Sequence, residues 1–218
     1  MTTLEDLRRE LADLHAELVR AGLVVWTAGN VSARVPGTDR FVIKPSGVSY
    51  DALRAEDMVV CDLDGRVVKG ELTPSSDTES HAHIYRELPE VGGVAHTHST
   101  YAVAWAARGE AVPCVLTAMA DEFGGEIPVA PFACIGDDAI GKAVVDLLRT
   151  HRSRAVLLQN HGPFTVGVDA RAAVKAAVMC EDACRTVHIA RQLGAPRVID
   201  PADVDRLYHR YQNVYGQR

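Results

Sequence analysis

His96 and His98 stand two residues apart in Val94-Ala95-His96-Thr97-His98-Ser99, after the apolar, glycine-rich run Val91-Gly92-Gly93-Val94-Ala95. That run reads as a buried strand, and on a strand residues i and i+2 leave the same face. Two imidazoles aimed at one point are half of a transition-metal site, since imidazole suits zinc, iron, copper and nickel. The same spacing also fits two strand histidines hydrogen-bonded to each other with no metal. A third ligand decides between these readings. His161, in Gln159-Asn160-His161-Gly162-Pro163 at the mouth of the apolar run 155–158, is the best candidate. A histidine before Gly-Pro is often only a turn residue, with the Gly162-Pro163 turn fixing the backbone beside it. Joined to His96 and His98, it completes three imidazoles, the ligand count of a catalytic zinc that keeps one position open. Asp77, at a helix start, could add a carboxylate ligand or an acid–base group, or simply complement the helix dipole.

Three short loops share a chemistry suited to a phosphorylated ligand: Thr27-Ala28-Gly29-Asn30, Lys44-Pro45-Ser46-Gly47 and Thr73-Pro74-Ser75-Ser76. Each offers small side chains, hydroxyls and open backbone N–H groups. Ser75 and Ser76 lie at a helix N-terminus, where anions bind readily, and Lys44 adds positive charge. Any one of them could be an ordinary turn. No Walker or GxGxxG pattern is present, so a nucleotide is not indicated.

The elements that must position these groups follow from periodicity. Leu4, Leu7, Leu11, Leu14 and Leu18 form the apolar stripe of a first helix, with Thr3 and Asp6 as a capping pair and Gly22 at its end. Segments 30–35 and 40–44 flank Pro36-Gly37-Thr38-Asp39, and 57–63 and 66–72 flank Asp64-Gly65, so two hairpins are expected. Ser76-Asp77-Thr78-Glu79 fits a capping box opening a helix. On that helix His81 and His83 diverge by about 200°, so they are read as polar groups rather than a metal pair. A short helix over 101–107 ends at Gly109, a short strand is expected over 112–117, and residues 121–125 read as a loop. Helices follow over 137–149, from Asp169 to about Leu193, and over about 202–212, with a buried strand at 155–158. The pattern predicts one domain over residues 1–218: a layered α/β fold with a central, mostly antiparallel sheet.

Composition narrows the class. In 218 residues, acidic side chains outnumber basic ones 29 to 23 and no basic run occurs, which argues against nucleic acid as a partner. No apolar segment reaches transmembrane length, and the charged, amphipathic N-terminus has no signal core. Five cysteines without CxxC spacing point to a reducing cytoplasm, with Cys180 and Cys184 as helix packing.

The ordered motifs Gly29-Asn30-Val31-Ser32, Phe41-Val42-Ile43-Lys44-Pro45-Ser46-Gly47, Pro74-Ser75-Ser76-Asp77-Thr78, His96-Thr97-His98-Ser99, His161-Gly162-Pro163-Phe164 and Tyr215-Gly216-Gln217 resemble the class II aldolase/epimerase superfamily over nearly the whole chain. Within it the chain is similar to the epimerases that act on L-ribulose 5-phosphate. The aldolases usually carry Glu where Asp77 stands, and Asp121 and Tyr215 also match epimerase positions. The resemblance implies an α/β/α fold with His96, His98 and His161 binding zinc, or manganese or cobalt, with Asp77 beside the metal. It implies that Gly29, Asn30, Lys44, Ser46, Gly47, Ser75 and Ser76 hold the sugar phosphate. Asp121 and Tyr215 would be an acid–base pair reaching the site from a neighbouring subunit of a homotetramer, and His209 is a further candidate. Two other functions fit the same fold: an aldolase on another sugar phosphate, and a non-catalytic scaffold of the kind found in adducin heads, which predicts a broken metal set.

Overall fold

The structure, a computed structural model, describes residues 3–214. The first helix, α1 (Leu4–Arg20), is opened by Thr3 and Asp6, whose side chains and backbone N–H groups bond reciprocally, as the sequence predicts. Its stripe Leu7, Leu11, Leu14 and Leu18 is buried, each leucine contributing roughly 1.5–3 kcal/mol relative to exposure. Two antiparallel hairpins follow: β1 (Asn30–Arg34) with β2 (Arg40–Ile43), and β3 (Val59–Asp62) with β4 (Val67–Lys69).

Helix α2 (Thr78–Glu87) precedes the central strand β5 (Gly93–His96), and α3 (Thr100–Arg108) ends on left-handed Gly109. Then come α4 (Thr117–Phe123), β6 (Val129–Ala130), α5 (Ala139–Leu148), the hairpin β7 (Ala155–Leu158) and β8 (Pro163–Gly167), the long α6 (Ala170–Leu193) and α7 (Pro201–Asn213). Asp169 caps α6 by accepting from the Ala172 N–H.

The strands form one sheet in the order β4-β3-β2-β1-β5-β8-β7-β6, antiparallel at every pairing except the edge pair β6–β7. Alternate residues divide two layers, because strand side chains leave opposite faces. Phe41, Ile43, Val94, Val156 and Phe164 pack against α2 and α5. Val31, Val42 and Ala95 pack against α1 and α6, while Ala155 and Leu157 join α3, α4, α6 and α7. The expected layered α/β architecture is therefore present.

Four local expectations change. The segment 112–117 makes only an isolated bridge, Val112 to Ile127, since Pro113 has no N–H to continue a ladder. Residues 121–123 belong to helix α4, not a loop, and the turn comes at left-handed Gly124. Pro163 begins strand β8 rather than closing a turn, a position where its missing N–H costs nothing. Finally, α2 has no capping box. Asp77 is its N-cap residue but makes no side-chain cap bond, because its carboxylate is held by Asn30.

Candidate metal centre and anion site

Strand β5 ends at His96, so His98 lies two residues beyond the strand in the loop to α3, its N–H held by the Leu23 carbonyl at 3.1 Å. The two rings still converge, Nε2 to Nε2 at 3.0 Å. His161 arrives from the tight β7–β8 hairpin, where Asn160 takes a left-handed φ of 62°. A Cβ on Gly162 would lie 2.6 Å from the Thr97 carbonyl oxygen. Only glycine lets the His161 hairpin come this close to the residue between His96 and His98. Ligand atoms of His96, His98 and His161 all lie within 4.8 Å of one another.

The donor set suits a divalent metal. His96 Nδ1 is 3.1 Å from the Pro163 carbonyl, which accepts the Nδ1 proton and leaves the Nε2 lone pair facing the cluster, the usual support for a ligating imidazole. Burial drives the His96 pKa down to about 3 and also lowers those of His98 and His161, so all three rings stay neutral and able to donate lone pairs.

Asp77 is not one of the atoms in that 4.8 Å group. Its Oδ2 accepts from Asn30 Nδ2 at 2.6 Å. Burial pushes its pKa up, but His96, His81 and the Asn30 amide outweigh this and hold it below the ordinary carboxylate value. An ionised carboxylate thus lies beside the imidazole cluster.

The structure brings the three predicted loops together. Pro45 and Pro74 form a bridge, and Ser46 and Ser75 exchange backbone bonds with Thr73 and Lys44. Asn30 Nδ2 also reaches Ser75 Oγ at 3.0 Å. Lys44 is buried; its Nζ donates to the carbonyls of Thr27 and Pro45, at 3.4 and 3.2 Å, and lies 5.2 Å from the centre of the Tyr50 ring. Among the described residues it has no carboxylate partner, and burial lowers its pKa. A buried ammonium without a counter-ion is costly, which makes this a place for a ligand anion. Gly29 has φ of 86°, Ser46, Gly47 and Ser76 are exposed, and Ser75 is half-buried.

Asp121 lies on α4, which is tied down by Glu122. This buried side chain bonds Lys175 of α6 at 2.5 Å, and Lys175 bonds the Tyr211 hydroxyl of α7 at 2.7 Å. Asp121 Oδ1 is buried without a partner among the described residues, while His96 of the imidazole cluster bonds the Pro163 carbonyl and His98. Tyr215 lies outside the described residues. His209, on α7, bonds Asn213.

Two residues that hold the loop 27–31 escaped the sequence reading. His15 Nε2 accepts from the Val31 N–H at 2.9 Å while its Nδ1 donates to the Leu11 carbonyl. Tyr50 donates to the Ala28 and Gly29 carbonyls at 2.8 and 3.0 Å. A signal for His15 existed: it interrupts the leucine stripe between Leu11 and Leu18, on the buried face.

A mostly antiparallel α/β sheet with a three-imidazole cluster at the end of its central strand defines a class of metal-site fold, and comparison gives the family. Residues 9–188 match the family Class II Aldolase and Adducin N-terminal domain, and the chain belongs to it. It is 39% identical to "L-ribulose-5-phosphate 4-epimerase UlaF" of Salmonella paratyphi B, over 98% of this chain and 96% of that one. To the protein of the same name from Salmonella typhi it is 40% identical over the same shares. Among solved structures, an "L-fuculose 1-phosphate aldolase" superposes with a TM-score of 0.89 at 27% identity, covering 95% of this chain and 96% of that one.

Proposed function

We propose that this protein is an L-ribulose-5-phosphate 4-epimerase: it interconverts L-ribulose 5-phosphate and D-xylulose 5-phosphate by cleaving and re-forming the C3–C4 bond. The observation that carries this reading is the intact three-imidazole cluster, in a chain 39–40% identical over nearly its whole length to proteins named for that activity. An intact cluster also argues against the non-catalytic scaffold.

His96, His98 and His161 would hold a divalent cation, zinc in our reading, with Asp77 beside it. When bound, that cation supplies Lewis-acid stabilisation of negative charge on the substrate's carbonyl oxygen. The remaining work falls to the chain. Lys44 would balance the substrate phosphate, with Gly29, Asn30, Ser46, Gly47, Ser75 and Ser76 offering N–H and hydroxyl donors around it. Asn30 keeps Asp77 fixed and ionised. Asp121 and Tyr215 would exchange protons with the C4 oxygen, one for each stereochemical hand. The C4 centre is then inverted by turning over the carbonyl of the released two-carbon aldehyde, with no need to remove the non-acidic C4 hydrogen.

Further parts of the reading are one domain over residues 1–218, a cytoplasmic homotetramer with sites at subunit interfaces, and a role in arabinose catabolism. No described helix is long and apolar enough to cross a membrane. A second reading, a fuculose-phosphate type aldolase, draws on the 0.89 superposition with an L-fuculose 1-phosphate aldolase. Product analysis on L-ribulose 5-phosphate separates the two. D-xylulose 5-phosphate is expected, whereas glycolaldehyde phosphate and dihydroxyacetone without epimer would favour the aldolase. No turnover by fully metal-loaded protein would reject the substrate.

A further inference from the structure

Asp77, His81 and Tyr85 recur at four-residue spacing on the face of α2 that meets the sheet, and all three are buried. Ser32 of β1 points up at them. Its Oγ is 2.6 Å from His81 Nδ1 and 2.8 Å from the Tyr85 hydroxyl. His81 also packs edge-on against Phe164, which stacks on His96. The other His81 nitrogen, Nε2, is buried with no hydrogen-bond partner among the described residues.

Proton bookkeeping fixes the state of this ring. If His81 carried its proton on Nδ1 it would donate to Ser32, and Ser32 would donate to Tyr85. The buried phenol proton would then have no acceptor in this chain of groups, and Nε2 would be an unmet acceptor. If Tyr85 donates to Ser32 and Ser32 to Nδ1, only the Nε2–H is left without a partner. The second arrangement leaves one buried polar group unmet rather than two, so His81 is the Nε2–H tautomer. One helical turn away stands the Asp77 carboxylate, with Oδ2 engaged by Asn30. The charge of Asp77 acts on His81 and that of His81 on Asp77.

We propose that His81 is a positioning residue whose Nε2–H, directly or through one water, backs the Asp77 carboxylate, in a relay running Tyr85, Ser32, His81, Asp77. The relay would fix the orientation of Asp77 beside the three imidazoles, as outer hydrogen bonds commonly do at metal sites. Its effect on turnover rests on the epimerase reading given above; its geometry does not.

Two measurements test it. The first is nitrogen-15 NMR of the full-length chelated protein, assigned with His81→Asn. The expected spectrum is a neutral Nε2–H ring with a proton slow to exchange, and Asp77→Asn shifts those signals. An Nδ1–H ring, or signals indifferent to Asp77→Asn, would overturn the proposal. The second uses the geometry of amides: His81→Gln keeps a nitrogen near the Nε2 position, whereas His81→Asn keeps only the group facing Ser32. Expected for His81→Asn is a kcat about 10- to 100-fold lower with KM and metal content near wild type, and His81→Gln should restore most of the loss. Equal kcat losses in both variants would mean packing alone and overturn it. If the wild-type protein lacks epimerase activity, the functional reading fails and the NMR result alone decides on His81.

Discussion

Asn30 lies directly opposite His96 across the antiparallel pair β1–β5. One strand register therefore sets both the amide that holds Asp77 and the first imidazole of the cluster. A one-residue slip between the two strands would put these side chains on opposite faces of the sheet. The imidazole cluster and the loops around Lys44 and Ser75 are thus joined through main-chain pairing, since Asn30 also reaches Ser75 on the loop that pairs with Lys44.

The close approach at Gly162 gives a first prediction. Gly162→Ala would set a methyl 2.6 Å from the Thr97 carbonyl oxygen, so the two histidine-bearing segments must separate. Metal affinity should fall by about 10- to 100-fold, read by competition with a chelating dye, while the fold survives by circular dichroism. Unchanged affinity would mean that the hairpin carrying His161 yields freely.

Lys44→Met keeps a long apolar stem and removes the buried charge. Losing a charged hydrogen bond of about 1.5–3 kcal/mol raises KM for the phosphorylated sugar by about 10- to 150-fold. Metal content should stay at wild-type level, because Lys44 bonds only main-chain carbonyls. The same variant should be no less stable than wild type in urea, since the ammonium has no counter-ion to lose.

Stability of the chelated protein should depend on pH through its buried neutral histidines. Burial lowers the pKa of His15 to about 3 and of His81 to about 4, against 6.5 for the free group. Below pH 6.5 the unfolded chain takes up protons that the folded chain refuses, so stability falls as pH falls towards the folded values. Each of the two removes about 1.4 kcal/mol per pH unit in that window. Urea unfolding at pH 7, 6 and 5 measures the slope, and a flat profile would contradict neutral burial of these rings.

If Asp121 serves the site of a neighbouring subunit, two dead variants should complement each other. Asp121→Asn keeps the imidazole cluster and His161→Ala keeps Asp121. In randomly mixed ring assemblies, about a quarter of the interfaces pair one good half-site with the other. Activity should return to about that fraction after co-refolding, and none should return if Asp121 acts within its own chain.

Much of this was legible in the sequence because it is local. The Thr3–Asp6 cap, the Asp64-Gly65 hairpin and the leucine stripe of α1 depend on residues a few positions apart, and they are found where periodicity puts them. The three histidines could be grouped because strand alternation and a hairpin mouth constrain direction even when partners are distant. What the pattern missed depends on long-range partners. Ser76-x-x-Glu79 looks like a capping box, but Asn30, 47 residues before Asp77, decides where the Asp77 side chain goes. His81 and His83 look alike in sequence. Only the fold puts Ser32 against one and leaves the other near Asp138 and Arg86. Strand β8 was hidden behind Pro163, whose turn propensity is overridden by pairing with β5 and β7.

The central claim is inversion at C4 by carbon–carbon cleavage in a metal-dependent site, and the most direct test is the fate of the C4 hydrogen. Metal-loaded protein is given L-ribulose 5-phosphate in deuterium oxide, with chelated protein as control, and the D-xylulose 5-phosphate is examined by NMR. The account predicts metal-dependent product with the original hydrogen retained at C4. Deuterium at C4, or equal product from chelated protein, would contradict it.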